Sequence, residues 1–249
     1  MYNSFTINGI KISEIYFDDI KDIISDSLKN EHKTAIAYVN QNLIVLSNKN
    51  SELKESLNQF NYNFADGTGI WLAAKWINNI GFRNRFNLTD YCKPFFQFLF
   101  VNKYKVCLLG SSDHTLNLLK DRVQKDYPKN TLQEVFNGYA DTSDNEELIR
   151  KINKTESDVL LVGMGSPKQE LWIAKNFNEV NVKVLISVGD LFSEAAGQKI
   201  RGPKVFQKWG FEWLFRVIAS PVYYFRRYII GIPKFFYLVL IDLLNKKRK

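Results

Sequence analysis

Residues 158–170 read DVLLVGMGSPKQE. Asp158 to Val162 is a short apolar run, the pattern of a buried strand. It enters Gly163-Met164-Gly165-Ser166-Pro167, and Leu171 to Phe177 then has helical character, with Pro167 placed in the first turn. Strand, glycine-rich turn and helix in that order are the start of a parallel crossover unit.

The same order recurs on both sides of this stretch. Thr34 to Val39 (TAIAYV) reads as a buried strand, and Ser51 to Phe60 as a helix with Ser51 as its N-cap. Asn61 to Phe64 is a short strand ending at Asp66-Gly67, before a helix over Thr68 to Asn79. Lys105 to Leu109 is a strand entering Gly110-Ser111-Ser112-Asp113, before a helix from about His114 to Tyr127. Val182 to Val188 is another strand, ending at Gly189-Asp190. No internal repeat interrupts the alternation. It predicts an α/β fold, a Rossmann-like, mostly parallel sheet with helices on both faces. In such sheets ligands bind beyond the carboxyl ends of the strands. The informative loops are then 64–70, 110–113, 163–170 and 188–201.

A chain of 249 residues, 45% apolar and 24% charged, has room for one large domain, or one domain with a small appendage. That balance excludes disorder, collagen and coiled coil as its main organisation. Two cysteines, Cys92 and Cys107, exclude a disulfide scaffold and a four-Cys zinc site, and a reduced, cytoplasmic setting fits them best. Met1 to Gly9 lacks the pattern of a secretory signal. No uncharged apolar stretch reaches the ~18 residues of a membrane span. The best candidate, Ile229 to Leu244, is interrupted by Gly231, Pro233, Lys234 and Asp242, and reads as not transmembrane.

The net charge of +8 is unevenly placed. Residues 199–249 hold 12 Lys or Arg against 2 acidic side chains, whereas residues 1–198 hold 22 basic and 24 acidic ones. The basic end is also aromatic, with Trp209, Trp213, Tyr224, Tyr228 and Tyr237 among its rings. Rings that enter a headgroup layer, mixed with cations that meet lipid phosphates, suit an anionic membrane surface. A core helix followed by a solvated basic tail fits the same composition. Nucleic acid is the weaker partner, because no binding motif accompanies the charge. An apolar face left by a detached tail also leaves room for a second subunit, hence a homo-oligomer. The expected division is therefore residues 1–198, an α/β catalytic core, and 199–249, a C-terminal helical appendage that associates with membrane.

Several familiar sites are missing. Gly163-x-Gly165 has no glycine at 168, so the dinucleotide fingerprint is broken, and no GxxxxGK[ST] loop occurs. His32 and His114 stand far apart with no ligand pattern around them. No two aspartates lie two residues apart, so the DxD motif that ties a nucleotide diphosphate to a metal is lacking. No metal and no cofactor is expected. A diphosphate must then be held by backbone N–H groups, a helix N-terminus and cationic side chains. Gly163 to Glu170 offers close backbone approach and a helix start, with Lys168 and Gln169 as donors; a plain strand–helix turn accounts for it equally well. Asp66, between Phe64-Ala65 and Gly67-Thr68-Gly69, is the best candidate for a carboxylate that takes a proton from a sugar hydroxyl. On spacing alone an Asp-Gly turn or an N-cap is the plainer reading, as it is for Asp90 and Asp190.

Read together, these loops resemble the WecG/TagA/CpsF family of bacterial glycosyltransferases, glycosyltransferase family 26, from about Asn40 to Arg227. Residues 64–70, FADGTGI, are similar to the family's ADGxGI segment. Residues 85–90, RFNLTD, resemble its RxxGxD stretch with Asn87 in place of glycine. Residues 162–170, VGMGSPKQE, follow its GxGxPKQE signature. Residues 187–203 resemble the VGxxFDxxAGxxxRAP region, with Asp190 where glycine is common, Glu194 near the FD position and Gly202 for alanine. Residues 211–227 are similar to LEWLxRLxxEPxRxxR.

The resemblance implies an inverting, metal-independent transferase. It would move a sugar, of N-acetylmannosamine type or another hexose, from a UDP-sugar to an undecaprenyl-diphosphate-linked sugar for capsule, teichoic acid or common antigen. By the family's pattern Asp66 would be the general base, and Arg216, Arg226 and Arg227 would stabilise the leaving diphosphate. Substrate contacts would come from Asn40, Gly67, Thr89, Asp90, Gly110, Gly163, Gly165, Pro167, Lys168, Gln169, Glu170, Asp190 and Arg201. The enzyme would sit peripherally on the inner face of the bacterial cell membrane. The alternative is a nucleotide-binding, non-catalytic membrane adaptor. Arg216 and Arg227 would share a face of an unbroken helix. Pro221 is expected to break that helix, so their convergence must come from tertiary folding.

Overall fold

The computed structural model describes residues 2–78, 82, 86–127, 131–139, 142, 144–199, 202 and 212–247. Arg201 lies outside them. Chain order gives β1 (Ser4–Ile7), β2 (Ile10–Ser13), α1 (Phe17–Lys29), β3 (Thr34–Val39), α2 (Gln41–Ser47), α3 (Ser51–Gln59), β4 (Tyr62–Ala65) and α4 (Thr68–Asn78). After a 3-10 turn at Leu88–Tyr91 come α5 (Cys92–Val101), β5 (Val106–Gly110), α6 (Asp113–Asp126), β6 (Leu132–Phe136) and α7 (Asn145–Lys154). Then follow β7 (Val159–Gly163), α8 (Lys168–Asn176), β8 (Val184–Ser187) and α9 (Leu191–Ala195). The chain closes with α10 (Glu212–Ala219), α11 (Pro221–Tyr224), a π turn (Phe225–Ile230) and α12 (Gly231–Lys247).

Among the described residues the strands form one eight-stranded sheet, ordered β1-β2-β4-β3-β8-β7-β5-β6. Every neighbouring pair is parallel except β1 with β2. The α/β class with helices on both faces is as expected from the alternation. Strand β3 shows why its sequence is apolar throughout: Ala35, Ala37 and Val39 face one core layer, Ile36 and Tyr38 the other. The first layer is covered by α2, α3, α4, α7, α8 and α12, the second by α1, α5, α6 and α9.

Some local expectations change. Asn50, not Ser51, caps α3, its Oδ1 accepting from the Leu53 N–H at 3.0 Å. The strands β1, β2 and β6, of which β1 and β6 form the sheet's edges, and the helices α1, α5 and α7 add to the alternation read from the sequence. At the C-terminus, Gly231 and Pro233 do not interrupt the helix. Phe225–Lys246 runs for 22 residues, and its most apolar 18-residue stretch has a mean hydropathy of 1.5, long and apolar enough to cross a membrane by length and composition. The wide π turn at Phe225–Ile230 precedes Pro233, whose ring carries no N–H and would press on a regular preceding turn. One face of α12 is nevertheless committed to the protein. Phe235 and Val239 are buried in the first core layer, and the helix packs on α2, α4 and β1. The Asp242 carboxylate accepts from the Asn8 N–H at 2.6 Å, and Lys246 Nζ donates to the Ile77 carbonyl at 3.1 Å. Tyr237, Leu240 and Leu244 lie exposed.

Candidate active site

The carboxyl ends of β3, β4, β7 and β8, with the loop after β5, open into a cavity of about 490 Å³. Asp66 reaches it from the end of β4. Its N–H donates to the Val39 carbonyl at 2.9 Å, and the Gly67 N–H donates to the Phe86 carbonyl at 2.9 Å. Gly67 takes φ +84°, a left-handed conformation that suits glycine. The chain thus turns immediately after the strand and leaves the carboxylate in the cavity wall. Asp66 Oδ1 is shielded from solvent and has no hydrogen-bond partner among the described residues, so by this oxygen it caps none of their helices. Burial pushes the carboxyl up to about 6. The positive charges of Lys199 and Arg227, and more weakly Arg216, work against that rise, while the Asp90 carboxylate adds to it.

A second element of the wall is a polar clip around α8. Gln169 Oε1 accepts from the Gly165 N–H and the Gly189 N–H, both at 3.1 Å, and so ties the loop after β7 to the loop after β8. Its Nε2 donates to Glu170 Oε1 at 2.7 Å, which also accepts from the Ser166 hydroxyl at 3.0 Å. Glu170 is fully buried, and that burial raises its pKa. Gly165 and Gly189 take φ of +78° and +57° with open space where a Cβ would stand. Gln169 lines the cavity, yet most of its amide is engaged by the loops.

The cations arrive from the C-terminal elements and from the loop after α9. Arg216 lies on α10 and Arg227 in the π turn, and both line the cavity. Ser220 separates α10 from α11, with Pro221 in the first position of α11, so the break and not a common helix face brings the two together. The Arg227 guanidinium stands 5.5 Å from the Tyr228 ring centre, and its Nε is buried without a hydrogen-bond partner among the described residues. Lys199 Nζ lies 3.4 Å from Asp190 Oδ2 and 3.3 Å from Thr89 Oγ1, with its side chain only 8% exposed.

Of the residues singled out in the sequence, Asn40, Asp66, Thr89, Gly163, Gly165, Gln169, Asp190, Arg216 and Arg227 line the cavity together. Asn40 also caps α2, its Oδ1 accepting from the Leu43 N–H at 3.1 Å. Asp190 stands at the N-cap of α9 but makes no side-chain cap bond and pairs with Lys199 instead. Asp90 is exposed and outside the lining, and Asn87 caps its turn. Gly110 is outside as well; a Cβ there would meet the Gly163 backbone at 2.4 Å, so its smallness serves strand packing. Gly67, Pro167 and Glu170 are not among the lining residues, though Glu170 bonds the lining Ser166 and Gln169 side chains. Lys168 and Arg226 are exposed and do not line the cavity. Sequence reasoning passed over Tyr38, Lys199, Tyr139 and Tyr224, all of which do. Tyr38 carried a signal, two residues before Asn40 at a strand end; Lys199 carried little beyond its place after Gly197.

A cavity at the carboxyl ends of a parallel sheet, holding one perturbed carboxylate among three cations, is the layout of an enzyme for anionic, hydroxyl-bearing substrates. The sequence pattern of the Glycosyl transferase WecG/TagA/CpsF family matches residues 5–249, and the chain belongs to that family. It is a glycosyltransferase. Among its relatives are N-acetylglucosaminyldiphosphoundecaprenol N-acetyl-beta-D-mannosaminyltransferases of Staphylococcus aureus strains MRSA252 and NCTC 8325 / PS 47. Each is 31% identical over 187 residues, covering 74% of this chain and 72% of the relative.

Proposed function

We propose that the chain moves a sugar from a UDP-sugar to an undecaprenyl-diphosphate-linked sugar, with inversion and without a metal, in the assembly of a cell-surface polysaccharide. The observation that carries this reading is the unpartnered Asp66 Oδ1 in a wall shared with Lys199, Arg216 and Arg227. A carboxylate at about 6 is ionised at neutral pH and basic enough to accept a proton. In the proposed step Asp66 takes the proton of the acceptor hydroxyl, whose oxygen forms a bond to the anomeric carbon of the donor. The bond from that carbon to the diphosphate breaks, and its electron pair leaves with the diphosphate. Arg216 and Arg227 receive the new charge; arginine suits this because its planar fork binds phosphate oxygens bidentately and stays charged. Asn40, Thr89 and Asp190, which line the cavity, are the proposed contacts to the sugars. Gly163 and Gly165 allow close backbone approach, and Gln169 acts by fixing the loops.

The relatives' names supply the acceptor class, and a lipid-linked acceptor agrees with the C-terminal surface. Leu214, Ile218, Val222, Phe225 and Ile229 are exposed there, with Leu240 and Leu244 on the far face of α12, and Arg226 and Lys234 stand among them. That surface is assigned to the inner face of the cell membrane, with Arg226 serving lipid phosphates. Residues 199–249 thereby act as the membrane-associating part that completes the site of the 1–198 core.

The test is UDP release by the purified protein with synthetic polyprenyl-diphosphate-GlcNAc, across a panel of UDP-sugars, with EDTA present. Acceptor-dependent release that survives EDTA is the expected result and names the donor. UDP binding without turnover under every combination would overturn the reading in favour of a non-catalytic adaptor.

A further inference from the structure

Asp66 is not the only group in the cavity left short of a hydrogen bond. The Tyr38 hydroxyl, at the end of β3, is also buried without a partner among the described residues, and the residue is 7% exposed. Its ring is held by Phe86, stacked at 5.9 Å between centres, and by Phe64, tilted at 6.3 Å. Strands β3 and β4 pair with Tyr38 opposite Phe64, so Tyr38 sits on the strand beside the one that ends at Asp66. Both residues line the cavity. Burial first, and the nearby Asp66 charge second, push the phenol well above its ordinary range, so it keeps its proton. A buried hydroxyl without a partner has given up its water without compensation, a loss that a ligand group can recover. An ionised carboxylate oxygen only accepts, and a protonated phenol can donate. Together they complement a single sugar hydroxyl, whose hydrogen goes to one and whose oxygen receives the other.

We propose that Tyr38 is a second catalytic residue of the transfer, donating its O–H to the oxygen of the acceptor hydroxyl that Asp66 deprotonates. The inference rests on the transfer reading given above. One lone pair of the attacking oxygen accepts from Tyr38, which leaves another aimed at the anomeric carbon. The acceptor O–H bond breaks, its proton passes to Asp66, the new C–O bond forms and the bond to diphosphate breaks. Tyr38 keeps its proton throughout.

The experiment compares the parent protein with Tyr38→Phe, which preserves the ring packing on Phe64 and Phe86 and removes only the hydroxyl. Initial rates against the lipid-linked acceptor, the dissociation constant of the UDP-sugar and the melting temperature are read for both. The expected result is about a tenfold fall in kcat/KM for the acceptor, with donor affinity within about twofold and no loss of melting temperature. Unchanged kcat/KM for the acceptor would overturn the assignment, and so would a loss confined to donor binding. Failure of the parent protein itself to transfer would overturn the function, and Tyr38's part with it; that outcome is read in the parent and not in the variant.

Discussion

Burial in the cavity wall makes the Asp66 carboxyl costly to ionise and, for the same reason, basic enough for the proposed proton transfer. Its pKa, about 6 against an ordinary 3.8, means that the native state binds its proton more tightly than the unfolded chain does. Stability therefore falls as pH rises from about 4 to 6, and above 6 the fold carries a buried charge in full. Asp66→Asn should raise stability at pH 7.5 by about 1–3 kcal/mol, a gain that vanishes below pH 4 where both forms are neutral. The same change should lower transfer by about 10²–10⁴-fold, while UDP-sugar binding holds. In the parent, kcat/KM should fall tenfold per pH unit below about 6 and level off above it, as the carboxylate protonates. Thermal melts and initial rates across pH 4–8 check both statements. A variant that gains no stability at neutral pH would contradict the buried charge. One that turns over at the parent rate would remove Asp66 from the reaction.

At the level of elements, the site depends on how two loops are joined. Gln169 bonds the Gly165 and Gly189 N–H groups, and Glu170 holds the other end of the amide. Gln169→Ala leaves those groups short of partners, at about 1–3 kcal/mol for each that stays buried. We expect a loss of about 2–4 kcal/mol in urea unfolding, with faster hydrogen exchange at residues 163–167 and 188–190 than elsewhere. Exchange that speeds evenly over the whole chain would argue against a local clip. This level also shows what a sequence can say. Strands such as VLLVG at 159–163 were legible because burial on both faces leaves an unbroken apolar run. The β6 strand, LQEVF at 132–136, was not, since an edge strand keeps polar residues on its exposed positions. The helix break before Pro221 was legible from proline's missing N–H. The PKQE stretch was legible as a motif, but spacing could not show that Gln169 faces backbone where Lys168 faces solvent.

Over the whole molecule, the least legible feature was the way distant segments share one wall and one core. The Lys199–Asp190 pair and the meeting of Arg216 with Arg227 are set by tertiary packing, to which local pattern is blind. The last helix is the larger case. Composition marked residues 199–249 as basic and aromatic, yet could not show that Phe235 and Val239 complete the core beside α2 and α4. The two faces of α12 can therefore be tested apart. Phe235→Ala should cost about 3–5 kcal/mol in urea unfolding. Leu240→Glu with Leu244→Glu should leave unfolding within about 0.5 kcal/mol and weaken flotation with anionic vesicles by about tenfold or more. Vesicle binding unchanged by the double change would take the far face of α12 out of the lipid contact. Helix α12 rests on the two helices that begin at Gln41 and Thr68, directly beyond Asn40 and Asp66. With its far face on lipid, as proposed, the cavity stands one helix layer from the plane in which the acceptor drifts. Encounter then becomes a two-dimensional search, in which the acceptor's mole fraction in the bilayer replaces its bulk concentration, and diluting the surface with inert lipid slows an enzyme whose chemistry is unchanged.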